Sequence, residues 1–541
     1  MKRNLGVVLM VFVMMFSLLV GCDNATDPVG KDQQKIITIA QWNPPTGEFH
    51  PSYGEAVYDS KVYGLIFDSL VDMNEKKEFI PVLASSWQFS EDNLSCTFKL
   101  REGIKWHDGE EFNAEDIKYT FMSIGHPDYT GPRYSNVSNI LGMEAYHEGE
   151  SDNVEGIEII DPYTVKITTE SLYAPFLSNI GGTTIVAEHI FGDIPIADMK
   201  SHTDLFQNPV GTSAFKLESF EPDQYASLVK NEEYWQGCPK IDGIVIKAVN
   251  QDLAIAHLLK GDIDIIEIND FNPDDMATYA ENNINIVEGL DLGFQYIGFN
   301  HTKETFQNKK LRQAFAHAID RQGVVDSLLY GKGIVANNPY SPASWACPPL
   351  DTLKNYEYNP EKAISLMQEA GYTYEDGIMK KPNGKQLEID FVYPSGNQIR
   401  EQYCAIAEQN LAAIGVKMNM EIMEFATLRQ RCKDGKFDMF AIGFTLGMDG
   451  DHMGIWAEGA PFNFPRYSPK KCIDLLDKGL SYADVEKRQE AYFEWAQFMN
   501  EEQPIIWMYN PIKGRAVAPR VKNIKYFNDS IYYDVHLWDI E

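Results

Sequence analysis

The sequence predicts an α/β protein of two lobes, with an additional mixed region near residues 60–205. Three observations lead there. Residues 254–260 read as a helix, Gly261 as its left-handed stop and residues 262–268 as a strand; residues 427–434, Gly435 and residues 437–444 repeat the plan. Helix, glycine stop and buried strand are the units of sheets that carry helices on their faces. The chain has 541 residues, and the roughly 520 that follow an apolar leader exceed what one hydrophobic core organises, so two or three domains are expected. The composition, 44% hydrophobic and 23% charged, is that of a folded soluble body.

The leader comes first. Lys2 and Arg3 precede an apolar run over residues 5–20 that ends in Leu19-Val20-Gly21-Cys22. A basic start, a short apolar core and small residues at the exit form a secretory signal peptide over residues 1–21. The run falls short of the roughly 20 residues of a spanning helix, although an uncleaved anchor is the alternative. Residues 22–35 then read as a flexible tether, with Pro28 and Gly30 and almost nothing apolar. Fully extended, its residues 23–34 reach at most about 40 Å.

The folded part opens on a strand over residues 35–40. Leu94, Cys96, Phe98 and Leu100 alternate with Ser95, Thr97 and Lys99, the period of a half-buried strand. Asn113 caps a helix with Asp116 three positions on, and Ile117, Phe121 and Ile124 share one face. Two capped amphipathic helices follow over residues 308–320 and 320–330. Asn359-Pro360-Glu361 opens another, which Gly371 closes. Residues 398–414 form a long helix ended by Gly415, and residues 416–423 return as a strand.

Composition and motifs exclude several functions. A formal charge of -32 argues against nucleic acid, which needs a basic face. An acidic cleft for cationic ligands is compatible with it. Apart from Cys22, the cysteines (Cys96, Cys238, Cys347, Cys404, Cys432, Cys472) are widely spaced with no Cys-x-x-Cys pair, so they read mostly as small buried apolar residues. Gly211-Thr212-Ser213-Ala214-Phe215 lacks the closing glycine of a nucleophile elbow. No His-Glu-x-x-His, P-loop or EF-hand loop occurs, and Gly331-Lys332-Gly333 follows a helix instead of a strand, against a dinucleotide turn. His107-Asp108-Gly109 reads as a turn before it reads as an acid–base pair. No metal, cofactor or catalytic residue is expected, and the chain is not expected to be an enzyme. Trp42, Phe49, Trp345, Trp456 and Phe464 stand in polar, loop-like surroundings. Such residues serve either as aromatic walls for a small amphipathic ligand or as pins for surface loops.

Several segments together resemble one family. Leu83-Ala84-Ser85-Ser86-Trp87, the stretch from Phe98 through Trp106-His107-Asp108-Gly109, and Phe112-Asn113-Ala114-Glu115-Asp116 are similar to the signature of family 5 solute-binding proteins. Pro209-Val210-Gly211-Thr212-Ser213-Ala214-Phe215, Leu311-Arg312-Gln313-Ala314-Phe315 with Asp320-Arg321, and Asn359-Pro360-Glu361 continue it in family order. These are the oligopeptide-, dipeptide- and nickel-binding components of ABC importers. Leu-Val-Gly-Cys likewise resembles the bacterial lipobox, in which cleavage precedes Cys22 and its thiol carries a diacylglyceryl group.

The resemblance implies a two-lobed, hinged, periplasmic-binding-protein-like fold of type II with an extra inserted subdomain. Lobe one would take residues 36–295, including the insertion at about 60–205; lobe two would take 296–505, and 506–541 would return to lobe one. The chain would cross between lobes near residues 290–300 and 505–513. The implied function is capture of a short peptide by a lipid-anchored monomer on the extracytoplasmic face of the cell membrane, at the cell surface or in the periplasm, and its delivery to an ABC permease and ATPase complex. The implied ligand-binding set is Trp42, Phe49, Trp345, Phe444, Asp449, Asp451, Trp456 and Asn463, with an aspartate for the peptide's amino end. Many relatives have Asp-Pro where this chain has Asp449-Gly450, which leaves open which aspartate faces the cleft. An oligosaccharide stacked on Trp42, Trp345 and Trp456, or nickel or haem, are the alternatives within the family. A peptide-sensing receptor or an exported hydrolase are those outside it.

Overall fold

Strand Ile505–Val517 is buried along most of its length and binds the two halves of the molecule. Residues 505–509 pair antiparallel with Phe294–Phe299, whereas residues 514–517 pair with Ile265–Ile268 and residues 512–517 with Asn285–Leu290. The pairing partners thus change between Tyr509 and Ile512. Alternate side chains of its first half enter different cores: Ile506 and Met508 face one, Ile505 and Trp507 the other. That two-faced burial is why Ile505-Ile506-Trp507-Met508 is continuously apolar instead of alternating.

The structure is a computed structural model that describes residues 34–541, apart from Lys76, Asn269, Met448, Ala483, Asn528, Asp529 and the side chain of Ala426. The leader, Cys22 and most of the tether lie outside the described residues. Residues 35–541 form one compact unit.

On one side of the long strand the sheet runs through Ile265–Ile268, Ile36–Gln41, Gly243–Ala248, Tyr225–Lys230 and Phe215–Glu221. Ile36–Gln41 is parallel to Gly243–Ala248, and the outer pairs are antiparallel. On the other side it runs through Phe294–Phe299, Met439–Phe444, Glu388–Pro394 and Lys417–Met423, the last two pairings parallel. The molecule is a two-lobed α/β protein.

Local signals set the helix ends. Asn113 and Asp116 close a capping box at the start of Ala114–Gly125. Asn250, Asn308, Asp320, Asn359 and Asn397 cap the helices that follow them. Gly261 and Gly435 take the left-handed conformation at φ 83° and 70° and stop their helices. The inserted region carries its own antiparallel sheet, in the order Ala84–Phe89, Ser95–Leu100, Thr164–Thr168, Ile157–Asp161. Its Cys96, Phe98 and Leu100 point inward as their spacing predicts. This sheet shares a core with the first half and with Ala516–Val521 and Trp538 of the C-terminal tail.

Two local expectations hold, the first with two exceptions. Cys96, Cys404, Cys432 and Cys472 are buried, but Cys238 is exposed and Cys347 half-buried, since each stands in a proline-bearing loop segment. His107-Asp108-Gly109 is a turn: Asp108 accepts the Glu110 N–H at 3.2 Å and Gly109 has φ 103°. Burial pulls the His107 imidazole down to about 4, so it stays neutral at its contact with the Ser213 carbonyl. Among the described residues no helix is long and apolar enough to cross a membrane, and no group of three metal-ligating side chains occurs.

Candidate functional site

Two places join the lobes: a cavity lined from both, and a charged loop whose hydrogen bonds reach from one to the other. The cavity holds about 760 Å³, within the range of small-ligand sites. The first half contributes Trp42, the helix Gln251–Lys260 and the strand Ile265–Ile268; the second contributes residues 396–399. Asp252, Glu267, Asp270 and Asp275 line it, and Glu267 is paired with Lys61 at 3.4 Å and Arg515 at 3.6 Å. Trp42 is half-buried there and its indole N–H has no partner among the described residues. The adjoining Gln41, at the end of its strand, is buried with both amide atoms unsatisfied.

At the second place, strand Met439–Phe444 runs into a loop that carries Asp449, Gly450, Asp451 and His452. Asp449 is the most heavily bonded of them. Arg488, on the helix Val485–Glu502, donates through Nη2 to both of its carboxylate oxygens at 2.8 and 3.1 Å. The Asp451 N–H and the Ser178 hydroxyl add bonds of 2.9 and 3.3 Å. Ser178 belongs to the inserted region, and Arg488 Nη1 also reaches that region, at the Ala174 carbonyl. Hydrogen bonds from both members of the ion pair therefore cross the junction. Burial acts to lower the Arg488 pKa, but Asp449 and Tyr492 outweigh it, so the net shift is upward and the guanidinium stays charged.

Aromatic rings frame the pair. The Arg488 guanidinium lies 5.2 Å from the Trp345 ring and 5.6 Å from Tyr492. Tyr340 donates its hydroxyl to the Gly450 carbonyl at 2.6 Å. A side chain on residue 450 would place its Cβ 2.6 Å from the Tyr492 ring, so close packing explains the glycine. Asp451 caps the next turn by accepting the Met453 N–H at 2.8 Å. Burial raises its carboxyl. Burial also pulls His452 down to about 3, leaving it neutral against Tyr340 and Trp495.

The remaining expected residues fall in different places. Phe444 stacks on Tyr296 at 5.2 Å, half-buried at the strand end. Phe49 is wholly buried against Phe220, with ring centroids 5.0 Å apart. Trp456 is buried among Tyr467, Trp495 and Trp507. Asn463 spends its amide on the carbonyls of Trp456 and Ala457 and on Ser468 Oγ, which pins a turn. Trp345, Phe444, Asp449 and Asp451 thus gather at the charged loop and Trp42 at the cavity; Phe49 sits in the first core, Trp456 in the second lobe's core and Asn463 in the turn. Sequence reasoning missed Arg488 and Ser178. Nothing local marks either one, because their partners come from distant parts of the chain.

The comparisons with known proteins agree with this architecture. The family model described as bacterial extracellular solute-binding proteins, family 5 Middle, matches residues 78–463. The oligopeptide-binding protein AppA of Bacillus subtilis is 28% identical over 546 residues, covering 98% of this chain and 97% of its own. Heme-binding protein A of Haemophilus influenzae is 30% identical over 87% of this chain and 85% of its own. Among solved structures, AppA of Bacillus subtilis in complex with a nonapeptide superposes with a TM-score of 0.75 at 28% identity, covering 94% of this chain and all of that one. NikZ of Campylobacter jejuni, in complex with Ni(L-His), gives 0.75 at 26% identity over the same share. The chain belongs to the bacterial extracellular solute-binding proteins of family 5.

Proposed function

We propose that this chain captures short peptides outside the cytoplasm and hands them to an ABC importer. The observation that carries the reading is the junction itself: one cavity takes its walls from both lobes, and one ion pair reaches from the second lobe to the inserted region. A ligand held from both sides stabilises the closed form because an open form offers it fewer contacts. The closed form is then what a permease recognises. Relatives named for oligopeptide and dipeptide binding support peptide as the cargo. In this reading Trp42, Trp345, Phe444 and the Asp449–Asp451 loop touch it. The lobes divide near residue 295, with the insertion at about 60–205, and the chain returns to lobe one after the change of pairing partners between Tyr509 and Ile512. No catalytic step is assigned.

Native mass spectrometry of residues 23–541, before and after mild unfolding, tests this directly. A ladder of released peptide masses is expected. A haem or a metal–amino-acid mass instead would replace peptide with the cargo that other relatives' names carry, and turnover of an added peptide would replace binding with catalysis.

The leader adds an anchor. Lipid on Cys22 would hold the binder beside its permease and raise its local concentration there. Cys22→Ala is expected to move nearly all of the protein from the membrane to the soluble fraction, or to leave the leader uncleaved, with ligand binding intact. Membrane retention with a normally cleaved leader, read by fractionation and intact mass, would remove the anchor from this account.

A further inference from the structure

A small pocket in the inserted region is lined unlike the rest of this acidic chain. It holds about 210 Å³, below the roughly 300 Å³ at which sites for drug-sized ligands begin. Its polar lining is Ser52, Tyr63, Arg133, Asn136, Thr183 and Thr184. All six carry hydrogen-bond donors and none is a carboxylate, in a chain whose formal charge is -32.

Two of the six are short of partners. Ser52 is 3% exposed, and its hydroxyl has no hydrogen-bond partner among the described residues. A buried hydroxyl in that state costs about 1–3 kcal/mol. Arg133 is half-buried and, among the described residues, pairs with no carboxylate. Its Nε donates to the Pro51 carbonyl at 3.4 Å, and its Nη2 to the Gly54 carbonyl at 3.3 Å and the Tyr63 hydroxyl at 3.5 Å. All three exceed the roughly 2.7–3.2 Å of a full N–H···O bond, and all three acceptors are neutral. The charge of the guanidinium is therefore not met by them. Burial raises the Tyr63 phenol more than Arg133 lowers it, so that hydroxyl keeps its proton as a donor.

The walls are tied in place. Tyr129 donates its hydroxyl to the Ser52 carbonyl and accepts the Arg133 backbone N–H at 3.2 Å. Asn136 donates to Thr183 Oγ1 at 3.3 Å, and that hydroxyl donates to the Asn179 carbonyl at 2.7 Å.

We propose that this pocket binds one small oxyanion, a carboxylate, phosphate or sulfate, with the Arg133 guanidinium supplying the charge and the Ser52 hydroxyl a hydrogen bond. A guanidinium suits such an anion because its N–H groups form a planar fork that matches two oxygens at once. Residues 182–184 of the pocket follow the π-helical turn Leu177–Gly181, whose Ser178 donates to Asp449 of the second lobe at 3.3 Å. The pocket thus borders the junction, and its oxyanion is a free ion held there or a carboxylate that the cargo carries in. The inference does not rest on the cargo being a peptide.

The probe is inorganic phosphate, with sulfate and acetate beside it, titrated calorimetrically into ligand-stripped protein against chloride at equal ionic strength. One saturable site per chain is expected. Arg133→Gln is expected to lose it, and Ser52→Ala to weaken it about tenfold, the worth of one hydrogen bond to a charged group. Because the Ser52 hydroxyl is unpartnered, Ser52→Ala is expected to melt no lower than the wild type in chloride, and to lose only the stabilisation that phosphate adds. That readout separates a hydroxyl that binds an anion from one that holds the fold, and it still decides if Arg133→Gln fails to fold. The same titration on protein that retains its cargo distinguishes the sources: exclusion of phosphate identifies a carboxylate of the cargo, and unchanged uptake a free ion. No saturable uptake of any of the three anions overturns the inference and leaves the pocket to water. Uptake that either folded variant leaves unchanged overturns it too, as does a lower melting temperature of Ser52→Ala in chloride.

Discussion

Arg321→Met is expected to lower the melting temperature of the second lobe by about 10 °C. The side chain is almost wholly buried and, among the described residues, pairs with no carboxylate. Its Nη1 donates to the carbonyls of Ala336 and Trp507, both at 2.7 Å, and its Nη2 to the Tyr356 carbonyl at 2.6 Å and Asn337 Oδ1 at 3.1 Å. One guanidinium therefore ties helix Arg321–Leu328 to the crossing strand and to two loop segments. Burial pulls its pKa down to about 10, so it remains charged at neutral pH. Methionine fills much of the same space and ends the desolvation cost of the charge, which favours the variant. Against that, three buried carbonyl oxygens lose their donor at about 1–3 kcal/mol each, and the half-buried Asn337 Oδ1 loses less. A neighbouring cavity of about 680 Å³, which Arg321 lines, admits water to some of them and trims the loss. The balance is about 3–4 kcal/mol, and at about 2–4 °C per kcal/mol for a body of this size it is read as about 10 °C by scanning calorimetry. A shift under 2 °C would mean that the carbonyls rehydrate freely and that the arginine is not a tie. Lysine should recover only part of the stability, since a single ammonium cannot span the fork.

Arg321 also shows where the sequence was readable. Its place after the Asp320 cap was plain, because a cap is a matter of residues two or three apart. The same holds for Asn113, Asn359 and Gly261, whose capping partners lie within a few residues. What Arg321 touches was hidden, because Trp507 and Tyr356 come from distant segments. The site follows the same division. The loop containing Asp449 and Asp451 was legible from its motif, yet the state of each carboxylate depends on Arg488 and Ser178, which no local pattern connects to it. Trp456 and Phe49 stand among polar neighbours in sequence and are packed by Trp495, Trp507 and Phe220 from far along the chain. Local polarity says nothing of such partners.

Gly293→Ala is expected to cost about 2–3 kcal/mol and to weaken ligand binding at least tenfold. Gly293 stands at one of the two places where the chain passes between lobes, just before strand Phe294–Phe299. An added Cβ would lie 2.0 Å from the Phe444 carbonyl oxygen and 3.1 Å from Thr445 Cα. Both are backbone atoms, so no rotamer change relieves the clash and the crossing itself must move, which is how overpacking reaches this size. The two crossings are bound to one another: Asp291 N–H donates to the Pro511 carbonyl at 2.9 Å, Asn510 donates to the Gly293 carbonyl at 2.8 Å, and Lys513 pairs with Asp291 at 2.8 Å. Displacing Gly293 therefore strains the second crossing as well, and it pushes on Phe444 at the head of the loop that carries Asp449 and Asp451. A loss of affinity is expected even where the protein remains folded, because the lobes and the loop would no longer present one geometry to the ligand. Gly447→Ala separates this from a general intolerance of alanine: a Cβ there meets nothing within 4 Å, and its melting temperature should stay within 1–2 °C of the wild type, as for an unconstrained surface change. Thermal melts on both variants, with calorimetric titration of whichever peptide the wild type retains, check the pair. If Gly293→Ala melts and binds as the wild type does, the crossing has slack that the close contact with Phe444 denies, and the hinge must lie elsewhere.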